Sequence, residues 1–137
     1  MNYAFSRMKR IVPILPSKNI PESLEFYQRV YGFHNAWAWT KSGQQITDFS
    51  GVDPRDVVYG GCSEPLIVHF WVCEEKHILE SAGFRIEVED IEAMHTICQA
   101  ANCVHPNGPL ETKPWGLKEF GTLDPSGVLV TIYQNAD

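Results

Sequence analysis

The chain has 137 residues, 44% of them hydrophobic and 20% charged, and a formal net charge of −6. That is the size and composition of one ordinary globular domain, or of two very small modules fused together, and it excludes a disordered or collagen-like chain. No run approaches the ~20 apolar residues of a membrane-spanning helix. The opening MNYAFSRMKRIVPILP puts basic residues before a short apolar run, but that run holds two prolines and no small-residue cleavage site, which argues against a signal peptide.

Charge is unevenly spread. Residues 1–71 carry seven basic and six acidic side chains, whereas residues 72–137 carry four and eleven. With no basic stripe, a nucleic-acid backbone is a poor partner. A charged small-molecule partner would be a cation, unless the acidity serves only solubility. Cys62, Cys73, Cys98 and Cys103 show no C-x-x-C spacing, and three lie in apolar segments. They read as reduced, core-type thiols in a cytoplasmic protein.

In chain order, Val12–Gly32 (VPILPSKNIPESLEFYQRVYG) starts as a β-type run broken by Pro13 and Pro16, which suits an edge strand. Asn19 then offers a helix N-cap with Glu22 three residues on, and Pro21 is tolerated in the first turn. Leu24, Tyr27 and Tyr31 share one face of that helix, and Gly32 can end it. Strand-like runs follow near Ala36–Thr40, Gln44–Phe49 and Val57–Tyr59, with Gly60-Gly61 reading as a turn or bulge. Leu66–Trp71 is a buried strand, and the polar Glu74–Ser81 reads as an exposed linker.

The pattern then repeats. Gly83–Cys103 (GFRIEVEDIEAMHTICQAANC) matches Val12–Gly32 type by type at an offset of 71, with Asp90 as N-cap and Asn102 as stop. Its helix presents Ile91, Met94, Ile97, Cys98 and Ala101 on one face. Strand-like runs follow at Cys103–His105 and Leu117–Leu123, and Val128–Tyr133 echoes Leu66–Trp71 at an offset of 62. The expectation is an α+β chain of two tandem βαβββ modules, about 10–73 and 82–135, within one domain spanning 1–137.

Three stretches carry a family likeness: PILPSKNIPESLEFY (Pro13–Tyr27), HFWVCEEKHI (His69–Ile78) and PWGLKEFGTLDPSGVLVTIYQN (Pro114–Asn135). They resemble the bleomycin resistance proteins of the vicinal oxygen chelate superfamily, which also holds glyoxalase I and extradiol dioxygenases. The poorest match is Lys41–Pro65. The resemblance implies curved mixed sheets forming open cups, paired in a homodimer whose grooves bind a bulky drug without chemistry. Catalytic members instead hold a divalent metal at four positions, which carry over to Val12, His69, Gly83 and Thr131. Only His69 is a strong donor there, and a hard cation needs several. The expectation is therefore no metal and no cofactor, with no membrane or nucleic-acid partner.

The candidate ligand-binding residues are Trp37, Trp39, His69, Trp71, Trp115, Gly116 and Glu119. Trp37 and Trp39 share a strand face, as do Ile67, His69, Trp71 and Cys73. For the indoles of Trp37 and Trp71 a core use competes with a groove use, and for His69 a half-buried backbone-bonded histidine is the competing reading. Trp115, between Pro114 and Gly116, reads as a loop-borne groove wall, since indoles stack flat aromatic groups and cations well. Glu119 could meet a cationic ligand if it faces the cup. The leading function is sequestration of a bleomycin-like or similar bulky, cationic, partly aromatic compound. The alternative is a metal-dependent lyase, isomerase or dioxygenase.

Overall fold

A computed structural model describes residues 6–135. The head of the segment weighed against a signal peptide, Met1–Phe5, lies outside that range, as do Ala136 and Asp137. In chain order the elements are β1 (Ile14–Ser17), α1 (Ile20–Arg29), β2 (Asn35–Thr40), β3 (Gln45–Ile46), β4 (Val57–Ser63) and β5 (Val68–Val72). After the short helix α2 (Lys76–Ser81) come β6 (Gly83–Glu87), α3 (Ile91–Ala100), β7 (Glu111–Thr112), β8 (Leu117–Leu123) and β9 (Leu129–Asn135).

Local chemistry sets both long helices. The side chain of Asn19 accepts from the Glu22 amide at 3.1 Å, and that of Asp90 accepts from the Ala93 amide at 3.1 Å, so each helix starts on a satisfied donor. Past their ends the chain turns through left-handed residues, Gly32 at φ 83° and Asn102 at φ 55°. Each helix returns the chain to a sheet of matching topology, ordered β1-β5-β4-β2-β3 and β6-β9-β8-β7. The first strand of each pairs parallel with the last, Ile14 opposite His69 and Gly83 opposite Leu129, and the other pairings are antiparallel. The fold is α+β with two open mixed sheets, and β1, with Pro16, lies at a sheet edge.

Both sheets turn their helix-bearing faces to one core that includes Leu24, Tyr27, Phe70, Phe120, Val130 and Ile132. Helix α1 and Tyr31 just past its end join the halves. The Tyr27 hydroxyl donates to Asp124 Oδ2 at 2.9 Å, the Tyr31 and Thr122 hydroxyls lie 2.7 Å apart, and the Phe84 ring stacks on that of Tyr27 with centroids 6.5 Å apart. Burial raises the Asp124 carboxyl above its ordinary value, although its oxygens also accept from the Ser126 and Val128 amides.

Several sequence expectations are corrected. Gly60 and Gly61 are no turn; they lie inside β4, which runs four residues beyond Tyr59. A Cβ on Gly60 would meet Ile20 Cγ2 at 2.8 Å and the Trp37 carbonyl oxygen at 3.0 Å, so this glycine lets α1 rest on the sheet. Glu74–Ser81 is not merely linker, because Leu79 is buried and anchors α2. Gln44–Phe49 shrinks to the two residues of β3, and Cys103–His105 to a single bridge between Val104 and Thr122. Leu66 is exposed and precedes β5, Val12 precedes β1, and Ile97 on α3 faces solvent. At the end of β5 the alternation breaks, leaving Val72 exposed and Cys73 buried.

Candidate ligand-binding faces

The first sheet alternates as the strand period requires. Ala38, Gly60, Cys62, Val68 and Phe70 are buried on its helix side. The opposite side carries two cross-strand rows in register: Trp39, Tyr59, Trp71 and Pro16, then Trp37, Gly61, His69 and Ile14. Trp39 and Trp71 remain 39% and 38% exposed, which an indole in the core would not be. Trp37, Trp39, His69 and Trp71 are thus brought together on one open face. Core use of those indoles is excluded by this placement.

Gly61 is the floor of that face. A Cβ there would lie 2.5 Å from Trp37 Cζ2 and 2.9 Å from His69 Cδ2, so the missing side chain is what lets the two rings settle. Their centroids are 5.1 Å apart, edge to face. The Tyr59 hydroxyl and His69 Nδ1 lie 2.9 Å apart, which fixes the imidazole plane through a side chain rather than the backbone. Burial lowers the His69 pKa below its ordinary value, so the ring is mainly neutral at pH 7. The result is an aromatic surface without a charge of its own.

The second sheet places Phe120, Thr122, Val130 and Ile132 in the core, leaving Arg85, Glu119, Thr131 and Tyr133 on its open side. A pocket of about 240 Å³ opens there, lined by His105, Lys113, Glu119, Leu129 and Thr131 among others. Glu119 does face the cup, but it is not a free anion: Arg85 Nη2 donates to its Oε2 at 2.7 Å. Trp115 sits at the tip of the β7–β8 hairpin, 64% exposed, where Gly116 adopts φ 87° and its amide donates to the Lys113 carbonyl. Trp115 and Gly116 therefore stand apart from the aromatic rows of the first sheet, on the other module.

The sequence profile of the glyoxalase/bleomycin resistance protein/dioxygenase superfamily matches residues 7–132 of this chain. The chain belongs to that superfamily. Within the glyoxalase/bleomycin resistance protein/dioxygenase superfamily, a bleomycin resistance protein of Geobacillus stearothermophilus is 26% identical, the match covering 93% of this chain and 97% of the relative. Among solved structures, a glyoxalase-related enzyme from Clostridium phytofermentans superposes with a TM-score of 0.67 at 17% identity, covering 95% of this chain and 97% of that one. A bleomycin-binding protein from bleomycin-producing Streptomyces verticillus, complexed with copper(II)-bleomycin, gives 0.62 at 21% identity, covering 93% and 97%. At those identities the structures establish a shared fold.

The donor set at the superfamily's four metal positions does not fit a divalent cation. Gly83 has no side chain, Val12 and Thr131 offer no charge, and the Nδ1 of His69 is held by Tyr59. No group of three or more His, Cys, Asp or Glu is placed to hold a metal ion among the described residues. Two residues of the faces escape a reading by motif, Tyr59 and Arg85. Strand alternation could have found Tyr59, two positions before Gly61. The 71-residue repeat could have found Arg85, since it pairs that residue with Ile14 on the open side of the first sheet.

Proposed function

We infer that the protein binds a bulky, partly aromatic, cationic small molecule of the bleomycin class and holds it without chemical change. The observation that carries this is the aromatic face of Trp37, Trp39, Tyr59, His69 and Trp71, on which Trp39 and Trp71 stay exposed among the described residues. Flat rings stack on such a surface, and cations are drawn to indole faces. The net charge of −6 favours approach of a cation at long range. Bleomycin resistance proteins among the relatives support the ligand class.

Magnitudes then ask for a second wall. Covering the exposed two-fifths of Trp39 and Trp71 removes roughly 100 Å² of each indole from water, about 2.5 kcal/mol apiece at 25 cal/mol per Å². About 5 kcal/mol only matches the low end of the association cost, so one face alone gives weak binding. We therefore place the ligand between the first-sheet face of one chain and the second-sheet face of another, with Trp115, Gly116 and Glu119 contributed by the partner copy. The pairing is a homodimer, in keeping with the family likeness.

Titration with bleomycin, followed by tryptophan fluorescence, tests the reading alongside light scattering. Saturable quenching by a dimeric species supports it. No quenching up to millimolar bleomycin overturns the ligand class, and tight binding by a monomer overturns the two-chain groove.

A further inference from the structure

On the open side of the second sheet, Glu119 of β8 stands directly opposite Tyr133 of β9. A carboxylate beside an aromatic ring makes a seat for a planar cation: the oxygens accept its N–H groups while the ring face attracts its charge. The seat is filled from within the chain. Arg85 reaches across β9 from β6, donating to Glu119 Oε2 at 2.7 Å and placing its guanidinium carbon 4.8 Å from the Tyr133 ring centroid. The Glu119 side chain is only 11% exposed, whereas that of Arg85 is 45% exposed. A carboxylate so covered requires a partner, and the partner is the more accessible half of the pair.

We propose that Arg85 is a specificity-determining residue of this face, an internal cation that fills the Glu119–Tyr133 seat and denies it to cationic groups of a ligand. The cationic part of a ligand is then directed to the indoles of the first sheet, and the part that meets the second sheet is uncharged or rich in acceptors, matching the guanidinium N–H groups that Glu119 does not take. This rests on the reading that the open faces bind ligand, and it reverses the simplest use of Glu119, as a direct anchor for a cation. Among the described residues Arg85 makes one side-chain hydrogen bond, to Glu119, so most of its five N–H donors are left for an acceptor from outside the chain.

The test is chemical replacement of the side chain. Methylguanidinium is titrated against the wild-type protein, Arg85→Ala and the double variant Arg85→Ala/Glu119→Gln, with shifts of the residues around Tyr133 followed by NMR. The expected result is saturable binding to Arg85→Ala at least about tenfold tighter than to wild type, lost again in the double variant. Arg85→Gln runs in parallel as a longer, polar replacement in case the alanine variant fails to fold; its amide falls short of Glu119 across β9, so it too should gain methylguanidinium binding. Equal binding by wild type and both Arg85 variants, or binding that survives Glu119→Gln, overturns the proposal. Bleomycin titration of the wild type separates the two ideas: a gain of methylguanidinium binding in a protein that ignores bleomycin keeps the seat and removes the ligand class.

Discussion

Gly60 and Gly61 are neighbours on β4 that serve opposite faces, so alanine at each separates folding from binding. At Gly60 the added Cβ meets Ile20 Cγ2 at 2.8 Å, the Trp37 carbonyl oxygen at 3.0 Å and Leu24 Cδ1 at 3.4 Å. The carbonyl belongs to the backbone of β2 and cannot retreat without disturbing the β2–β4 pairing, in which Trp37 faces Gly61 and Ala38 faces Gly60. Overpacking of this kind costs ~1–3 kcal/mol, offset by a few tenths from the stiffer unfolded chain. With 1 kcal/mol worth roughly 3–6 °C at this chain length, Gly60→Ala should lower Tm by about 2–16 °C and leave ligand affinity alone once folded. At Gly61 the Cβ meets Trp37 Cζ2 at 2.5 Å and His69 Cδ2 at 2.9 Å, both ring edges that can swing toward the open side. Gly61→Ala should therefore cost less stability, under ~1 kcal/mol, yet lift both rings from the floor and weaken bleomycin binding about tenfold, ~1.4 kcal/mol. Thermal melts and fluorescence titrations on both variants decide it. If Gly61→Ala melts as low as Gly60→Ala and binds like wild type, the open face is not the binding surface.

Trp115→Ala should melt within about 1–2 °C of wild type, because an exposed hairpin tip carries little core energy, while losing ~1–3 kcal/mol of bleomycin binding; a large loss of Tm with normal binding contradicts it. Asp124→Asn tests the buried carboxyl. Since burial holds the folded-state pKa above the unfolded one, its stabilising contribution is full below the ordinary carboxylate range and is lost as pH rises through the folded value. Denaturant melts from about pH 4 to pH 7 should show that fall in wild type relative to Asp124→Asn, and parallel profiles refute it. Protein purified without chelators should carry well under one transition-metal ion per chain; a stoichiometric ion removable with loss of an activity would favour the enzymatic alternative.

What was legible in the sequence was what local chemistry decides. Asn19, Asp90, Gly32 and Asn102 bound their helices through side-chain acceptors and left-handed backbone, and neither depends on distant contacts. The strand alternation that grouped Trp37 with Trp39 and His69 with Trp71 also held, because both strands lie between a buried and an open face. What stayed hidden was set by tertiary packing. Two glycines in succession look like a turn until α1 and the Trp37–His69 pair are seen pressing on them from opposite sides. Buried Leu79, beside half-buried Ile78, fixes α2 in an otherwise polar octapeptide. Glu119 read as an available anion, because nothing local says that a residue 34 positions upstream will neutralise it.

The common core between the sheets also fixes how damage combines. Because each chain turns its two open faces away from one shared interior, no single ligand spans both faces of one chain. In the proposed homodimer a pair of chains would hold two grooves, each built from unlike halves. Mixing a chain spoiled on its first sheet, such as Gly61→Ala, with one spoiled on its second, such as Trp115→Ala, would put both lesions into one groove and leave the other intact. Two weakened proteins would thus restore one another on subunit exchange, each mixed dimer regaining one intact groove of its two.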